Sequence, residues 1–344
     1  MKAPLVLLAA ALTPPVIAEP GVTARGRAAV SAAAIVESTG GVTASRFDLD
    51  RAELGGDATA GAHGIGAITL EAIRSAGPDS AMGLDGNSLV LRLRHAALGG
   101  RWTAAPALTL TGRLGLVPDP WTATVDDHPE RALGRALTET AALVAPSDLG
   151  AEVTLAAGAW LRVRLVVGNG EGARDVERNR GKTTSVVARL AWRAPALGEL
   201  ALVAYGRDGS VGPGAVRSHR LGGALGWHHP RGAAGIELVR GWGVGAQPDA
   251  RALAATAWLD APVIADAGLT ARVDRLVVEG GGEDQAGWTL QAAAWWALAS
   301  RARVELAFER QAADGAAAVI PGAPGAIDVT RALLRVHGSF EDSE

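Results

Sequence analysis

The 344-residue chain carries 33 Lys and Arg against 36 Asp and Glu, a net charge of −3, and no cysteine. That balance offers no basic face for nucleic acid, and the missing thiols exclude disulfides, a thiolate metal centre and a cysteine nucleophile. Hydrophobic residues make up 48% of the chain and glycine occurs 45 times, more glycine than a tightly packed globular core uses and better suited to walls that bend.

The chain opens with a short positive start, Met1-Lys2, an apolar stretch from Leu5 to Leu12, and Val16-Ile17-Ala18 before Glu19. This pattern is that of an export signal over 1–18. About 8 apolar residues followed by Pro14-Pro15 are too few for a membrane helix, which needs roughly 20.

From residue 20 onward the dominant signal is period two. Leu89-Val-Leu-Arg-Leu-Arg-His95 and Trp160-Leu-Arg-Val-Arg-Leu-Val-Val167 set apolar against polar residues in strict alternation. Each such stretch has one oily and one wet face. Sixteen strands are expected, at 22–37, 42–56, 60–74, 84–97, 105–117, 148–157, 159–168, 182–193, 198–207, 217–228, 232–243, 250–261, 266–279, 286–298, 301–311 and 327–340. The expected fold is all-β, a transmembrane antiparallel β-barrel over 19–344, because so many two-faced strands must close on themselves to hide their edges.

The connections sort by length. After even-numbered strands they are tight, as at Ala157-Gly158 and His229-Pro-Arg-Gly232; after odd-numbered strands they are mostly long, as at 118–147 and 312–326. Short turns on one rim and long loops on the other are the outer-membrane pattern, with the short turns periplasmic. Trp102, Trp160, Trp192, Trp227, Trp258 and Trp295-Trp296 fall near the short-turn ends, and Trp242 and Trp288 near the long-loop ends, as expected for interfacial girdles.

The third long loop, 118–147, has helical character. Asp127 is placed to cap, Pro129 to open a helix and Glu130 to favour its positive end, with Leu133, Leu137, Ala141 and Val144 on one face. A partly apolar helix there is expected to fold into the lumen as a constriction, the alternative being a cap over the mouth.

Alternation also assigns an interior. With Leu89, Leu91 and Leu93 outward, Arg92 and Arg94 face inward, and Arg162 and Arg164 do so opposite Leu161, Val163 and Leu165. The same rule places Arg113, Arg189, Arg301, Arg303, Arg331 and Arg335 inside, with Glu152, Glu305 and Glu309 as inward acids. An arginine on the lipid face near the midplane would cost about 2–4 kcal/mol. A ring of unpaired arginines would select anions; arginines paired with the inward acids would instead form structural ladders of weak selectivity.

Other motifs are weaker. Arg180-Gly-Lys-Thr-Thr184 lacks the first glycine of a phosphate-binding loop, since position 176 is Val176. His228 and His229 are adjacent on a strand and point to opposite faces, so they cannot chelate together. No serine sits in a nucleophile motif, and His95, His219 and His337 lie far apart in sequence. No enzyme activity, cofactor or metal is expected.

Four runs resemble the phosphate-selective porin O and P family: Arg46-Phe-Asp-Leu-Asp-Arg-Ala-Glu-Leu54, Leu108-Thr-Leu-Thr-Gly-Arg-Leu-Gly-Leu-Val-Pro-Asp-Pro120, Ser147-Asp-Leu-Gly150 and Val167-Gly-Asn-Gly-Glu-Gly172. The resemblance covers about half the mature chain. It implies a sixteen-stranded, trimeric outer-membrane channel for small anions such as phosphate. The chain departs from the family in Asp119-Pro120-Trp121 and in having only Lys2 and Lys182 as lysines. The expected function is therefore a porin for small hydrophilic solutes or anions, set in outer-membrane lipid. A non-conducting barrel serving as an adhesin or structural protein is the alternative.

Overall fold

The computed structural model describes residues 22–39, 42–75, 88–125, 128, 131, 133–170, 182–211, 214–279, 284–299, 302–313 and 327–341. The export signal and Asp127, Pro129, Glu130 and Arg301 lie outside them.

Among the described residues, seventeen strand segments form one antiparallel sheet. They are β1 (Val22–Thr39), β2 (Val42–Ala60), β3 (Gly64–Ser75), β4 (Ser88–Ala105), β5 (Leu108–Pro118), β6 (Ser147–Ala157), β7 (Leu161–Gly168), β8 (Thr183–Ala194), β9 (Gly198–Val211), β10 (Val216–Arg217), β11 (His219–His229), β12 (Gly232–Trp242), β13 (Arg251–Ile264), β14 (Ala267–Glu279), β15 (Gln285–Ala299), β16 (Ala302–Ala313) and β17 (Ile327–Glu341). β10 and β11 are one stave interrupted at Ser218, whose amide donates to the Gly209 carbonyl at 2.7 Å, and both pair with β9. Each stave pairs with its sequence neighbours, and β1 pairs with β17 from Arg27↔Glu341 to Thr39↔Val329, which closes the ring. Among the described residues no helix is long and apolar enough to cross a membrane. The crossing elements are strands.

The closed ring turns the alternation inside out relative to a soluble protein. Leu91, Leu98, Leu114 and Leu221 are exposed on the outer surface, Leu98 by 74%, whereas Glu71, Glu152 and Glu305 inside are fully buried. Apolar atoms facing outward are stable only where the surrounding medium is itself apolar. The tight turns at 61–63, 106–107, 158–160, 195–197, 230–231 and 265–266 all lie on one rim.

Two local irregularities adjust this wall. In the β3–β4 register Leu93↔Leu70 is followed by His95↔Thr69, so Arg94 is an extra residue, a bulge. Beyond it the faces exchange: Leu91 and Leu93 point out, yet further along Ala97 is buried and Leu98 exposed. At Gly99 a side chain would collide with the Gly112 carbonyl oxygen of β5, so glycine is required there by the close approach of two backbones.

The connection from Pro118 to Ser147 does not form the single helix over 129–144 that its spacing predicts. Its described residues hold two short turns, α1 (Thr122–Val125) and α2 (Leu137–Thr140), separated by Gly134 at φ 140° and by Ala136 in an extended conformation. The apolar positions read from the sequence are still used: Leu133, Leu137 and Val144 are buried, with Trp121, Val125 and Leu143 beside them. Leu133 packs with Ile35, Ala293, Ala307 and Leu333 from β1, β15, β16 and β17. Trp121, Leu137, Leu143 and Val144 join Val187, Tyr205, Val239 and Ala252 from β8, β9, β12 and β13. One segment touching both halves of the ring lies inside it. Each fully buried large apolar side chain contributes about 1.5–3 kcal/mol, enough for tertiary packing to outweigh the local helical preference.

The tryptophan pattern needs one correction. Trp102, Trp160, Trp192, Trp227 and Trp296 are exposed, while Trp258 is 4% exposed and faces inward, and Trp295 is partly covered. Trp258 is an even-numbered residue on β13, on the same face as buried Ala252, Ala254 and Thr256. Its indole lies 5.2 Å from the His128 ring and 5.9 Å from the His228 ring, at tilted angles.

Candidate functional site

Inward residues of neighbouring staves meet because antiparallel register sets them opposite one another. On β3 and β4 the Glu71 carboxylate accepts Arg92 at 2.6 and 2.9 Å and Arg94 at 3.1 Å. Arg94 also reaches Glu53 of β2 at 2.8 Å. From the inward loop Arg135 adds a third guanidinium to Glu71 at 3.3 Å. A buried carboxylate is stable only when paired and hydrogen-bonded, and Glu71 has three cationic neighbours.

The opposite wall holds the other side of the loop. Glu237 of β12 accepts Arg131 and lies 2.8 Å from the His128 ring nitrogen. On β14 Arg272 is bound to Asp274 at 2.8 Å and donates to the Arg135 carbonyl at 2.8 Å. Arg220 of β11 donates to the Leu143 carbonyl at 2.7 Å, and Gln291 of β15 donates to Glu309 at 2.6 Å. On the remaining staves Arg303 pairs with Glu305, His337 lies 3.0 Å from Glu305, and Arg331 bridges Glu37 at 2.7 Å and Glu309 at 2.5 Å. Arg335 is buried on the same face.

From β5 to β9 the balance differs. Arg113 and Arg164 share the single carboxylate of Glu152, at 3.6 and 3.7 Å. Arg164 Nε and Nη1 are buried and make no hydrogen bond among the described residues. Arg162 is exposed, stands opposite Arg189 in the register, and has no acidic partner among the described residues. Arg189 and Arg193 share Glu199. With Arg207 of β9 and the buried Asp148 of β6 counted, six arginines on this arc face three carboxylates.

Above the arc, Asp119 is fully enclosed where the loop leaves β5. Its Oδ1 accepts the Trp121 amide at 2.8 Å. Burial pushes its carboxyl up to about 6, against the lowering effect of Arg207 and of the Trp121 and Thr122 amides.

Every described arginine assigned inward by alternation sits on the inner face, and most are paired with acids. The arrangement is therefore the ladder of ion pairs over most of the wall, with arginine in excess on β5–β9 and Arg220 of β11 held by backbone carbonyls. Alternation alone missed the partners Glu71, Glu237 and Asp274, although their parity was readable, and it could not supply Arg131 and Arg135, which act from a loop. His228 and His229 do point to opposite sides: His228 toward Trp258, His229 stacked on Trp227 at 5.7 Å. His219 is instead 2.8 Å from Asp208. Among the described residues no group of three metal-ligating side chains comes together.

No family model matches the chain, and no curated protein matches it by sequence. Solved structures do. The in-vitro folded OmpT, an outer membrane protein of Vibrio cholerae, superimposes with a TM-score of 0.62 at 11% identity, over 95% of this chain and 100% of that one. An anion-selective porin from Comamonas acidovorans gives 0.61 at 12% identity over 93% and 100%. The outer membrane protein OpdK from Pseudomonas aeruginosa gives 0.52 at 10% identity over 93% and 99%. The chain has the fold of bacterial outer-membrane β-barrels.

Proposed function

We propose that the protein is an outer-membrane porin through which small hydrophilic solutes diffuse, with a preference for anions. Residues 1–18 are the export signal in this reading, and 19–344 the barrel. The observation that carries it is the β5–β9 arc, where exposed Arg162 and the under-hydrogen-bonded Arg164 leave positive charge unneutralised inside a ring lined mostly by ion pairs. Such a wall replaces part of an anion's hydration. The remaining assigned residues, Arg92, Arg94, Arg113, Arg189, Arg301 and Arg303, line the same interior in this reading and set its field with their acidic partners. Phosphate is the anion that the motif resemblance supports in this reading, and a homotrimer the assembly. The anion-selective porin from Comamonas acidovorans, which shares the fold, is in keeping with this reading.

The test is single-channel recording in a planar bilayer under a salt gradient. Anion-directed reversal potential supports the reading; a cation-directed one removes the anion preference. The closely held loop inside the ring favours a second reading, a non-conducting barrel of adhesive or structural role, and absence of conductance by folded protein would select it.

A further inference from the structure

The outer surface of β12–β14 carries charge toward the long-loop rim, as β16 and β17 do in the exposed Arg310–Asp328 pair, whereas most of the lipid-facing wall is apolar. Arg275 points outward in line with exposed Leu269 and Val273. The register sets Arg275 opposite Ala255, Ala255 opposite Leu238, and Leu238 opposite Gly223. Two positions nearer the long-loop rim on β12 is Arg240, and Arg251 stands at the first position of β13 between Trp242 and Glu279. Arg251 and Arg275 are both exposed and have no acidic partner among the described residues, while Arg240 pairs with Glu279 at 2.9 Å and lies over the Trp242 ring at 5.7 Å. Three arginines and one carboxylate thus face outward toward the long-loop rim, where an outward arginine costs less than at mid-wall.

Directly below them, toward mid-wall, the surface holds an apolar groove. Leu225, Ile236, Leu238 and Val273 wall it, Gly223 leaves room in its floor, and Arg275 stands at its upper end. An apolar groove ending in the exposed Arg275 guanidinium, with Arg240 and Arg251 farther toward the rim, matches an acyl chain whose headgroup carries phosphate: the chain fills the groove, and arginine binds phosphate bidentately.

We propose that this face is a binding site for a phosphorylated, acylated glycolipid of the outer leaflet, held by Arg240, Arg251 and Arg275. It rests on the outer-membrane placement of the barrel and is independent of whether the barrel conducts.

The experiment uses the full-length protein folded in neutral detergent, with diphosphorylated lipid A as the probe and lipid A stripped of both phosphates as its control. Binding is read by native mass spectrometry. The parent is expected to retain diphosphorylated lipid A, with affinity falling about tenfold for the stripped lipid and for an R251Q/R275Q variant, since both remove charge-assisted contacts between guanidinium and phosphate. A257L, which narrows the groove without altering charge, should weaken both lipids alike. Equal retention of both lipids by the parent, or undiminished binding by R251Q/R275Q, overturns the proposal. A changed oligomeric state of R251Q/R275Q with unchanged lipid retention overturns it in favour of contact with a second copy. Conductance recorded on the same preparations separates failure of this site from failure of the porin reading.

Discussion

Arg131, in the loop that enters the ring, places its guanidinium on both carboxylate oxygens of Glu237 at 3.1 Å, although 106 residues separate the two in the chain. Both side chains are almost wholly buried. The contact fixes the loop to β12, while Arg135 fixes it to β3 and β14. Removing one partner of such a buried pair costs about 3–5 kcal/mol, because the other charge is left unsatisfied. Glu237→Gln should therefore lower the apparent unfolding temperature and raise open-channel noise. Quiet channels with parental heat resistance in this variant would show that the pair does not hold the loop.

Shortening the loop should widen the passage. Deleting about 12 residues within 126–140 removes Leu133 and Arg135 from the interior, yet leaves every stave intact, and loops tolerate length changes better than strands. Conductance is expected to increase while heat-modifiable migration in gels persists. A folded deletion with unchanged conductance would place the current path elsewhere than beside this loop.

The inner arginines should divide into two classes. Arg94 is buried and shares two carboxylates, so Arg94→Gln is expected to cost about 3–5 kcal/mol and to impair assembly. Arg162 is exposed and unpaired among the described residues, so Arg162→Gln should fold as the parent does. Its effect should appear in selectivity: one charge acting at about 4 Å through water is worth roughly 1 kcal/mol, a several-fold drop in the anion-to-cation permeability ratio, largest at low salt. Equal reversal potentials in Arg162→Gln and parent would take this arginine out of the ion path.

Asp119 gives a pH dependence of definite sign. Its folded value is raised from 3.8 to about 6, so the folded state binds the proton more tightly than the unfolded chain. The contribution of this group to stability is most favourable below about 4, declines as pH rises through 4–6, and is unfavourable by about 3 kcal/mol above that range. Asp119→Asn keeps an acceptor for the Trp121 amide and removes the titration. Melting followed from pH 4 to 7.5 should show the parent losing more stability than the variant; parallel curves would contradict the assignment.

The sequence by itself determined the two-faced strands, the sidedness of the connections, and which arginines lie inside. Period two is a local property of the extended chain, so Arg92 and Arg164 could be assigned without knowing any neighbour. Even there the limit was local: the bulge at Arg94, which exchanges the faces before Ala97 and Leu98, follows from pairing with β3 and leaves no mark in the alternation. Nearness to a strand end points Trp258 to the interface, but its even parity on β13 turns it inward. Only the closed ring decided that Glu71 gathers Arg92, Arg94 and Arg135, that Glu152 is shared while Arg162 is left over, and that the loop breaks at Gly134 so that Leu133 and Leu137 reach different walls. Those outcomes depend on which distant staves face one another across the interior. There, burial and charge pairing outweigh the few tenths of a kcal/mol per residue by which local propensity would have made 129–144 one helix.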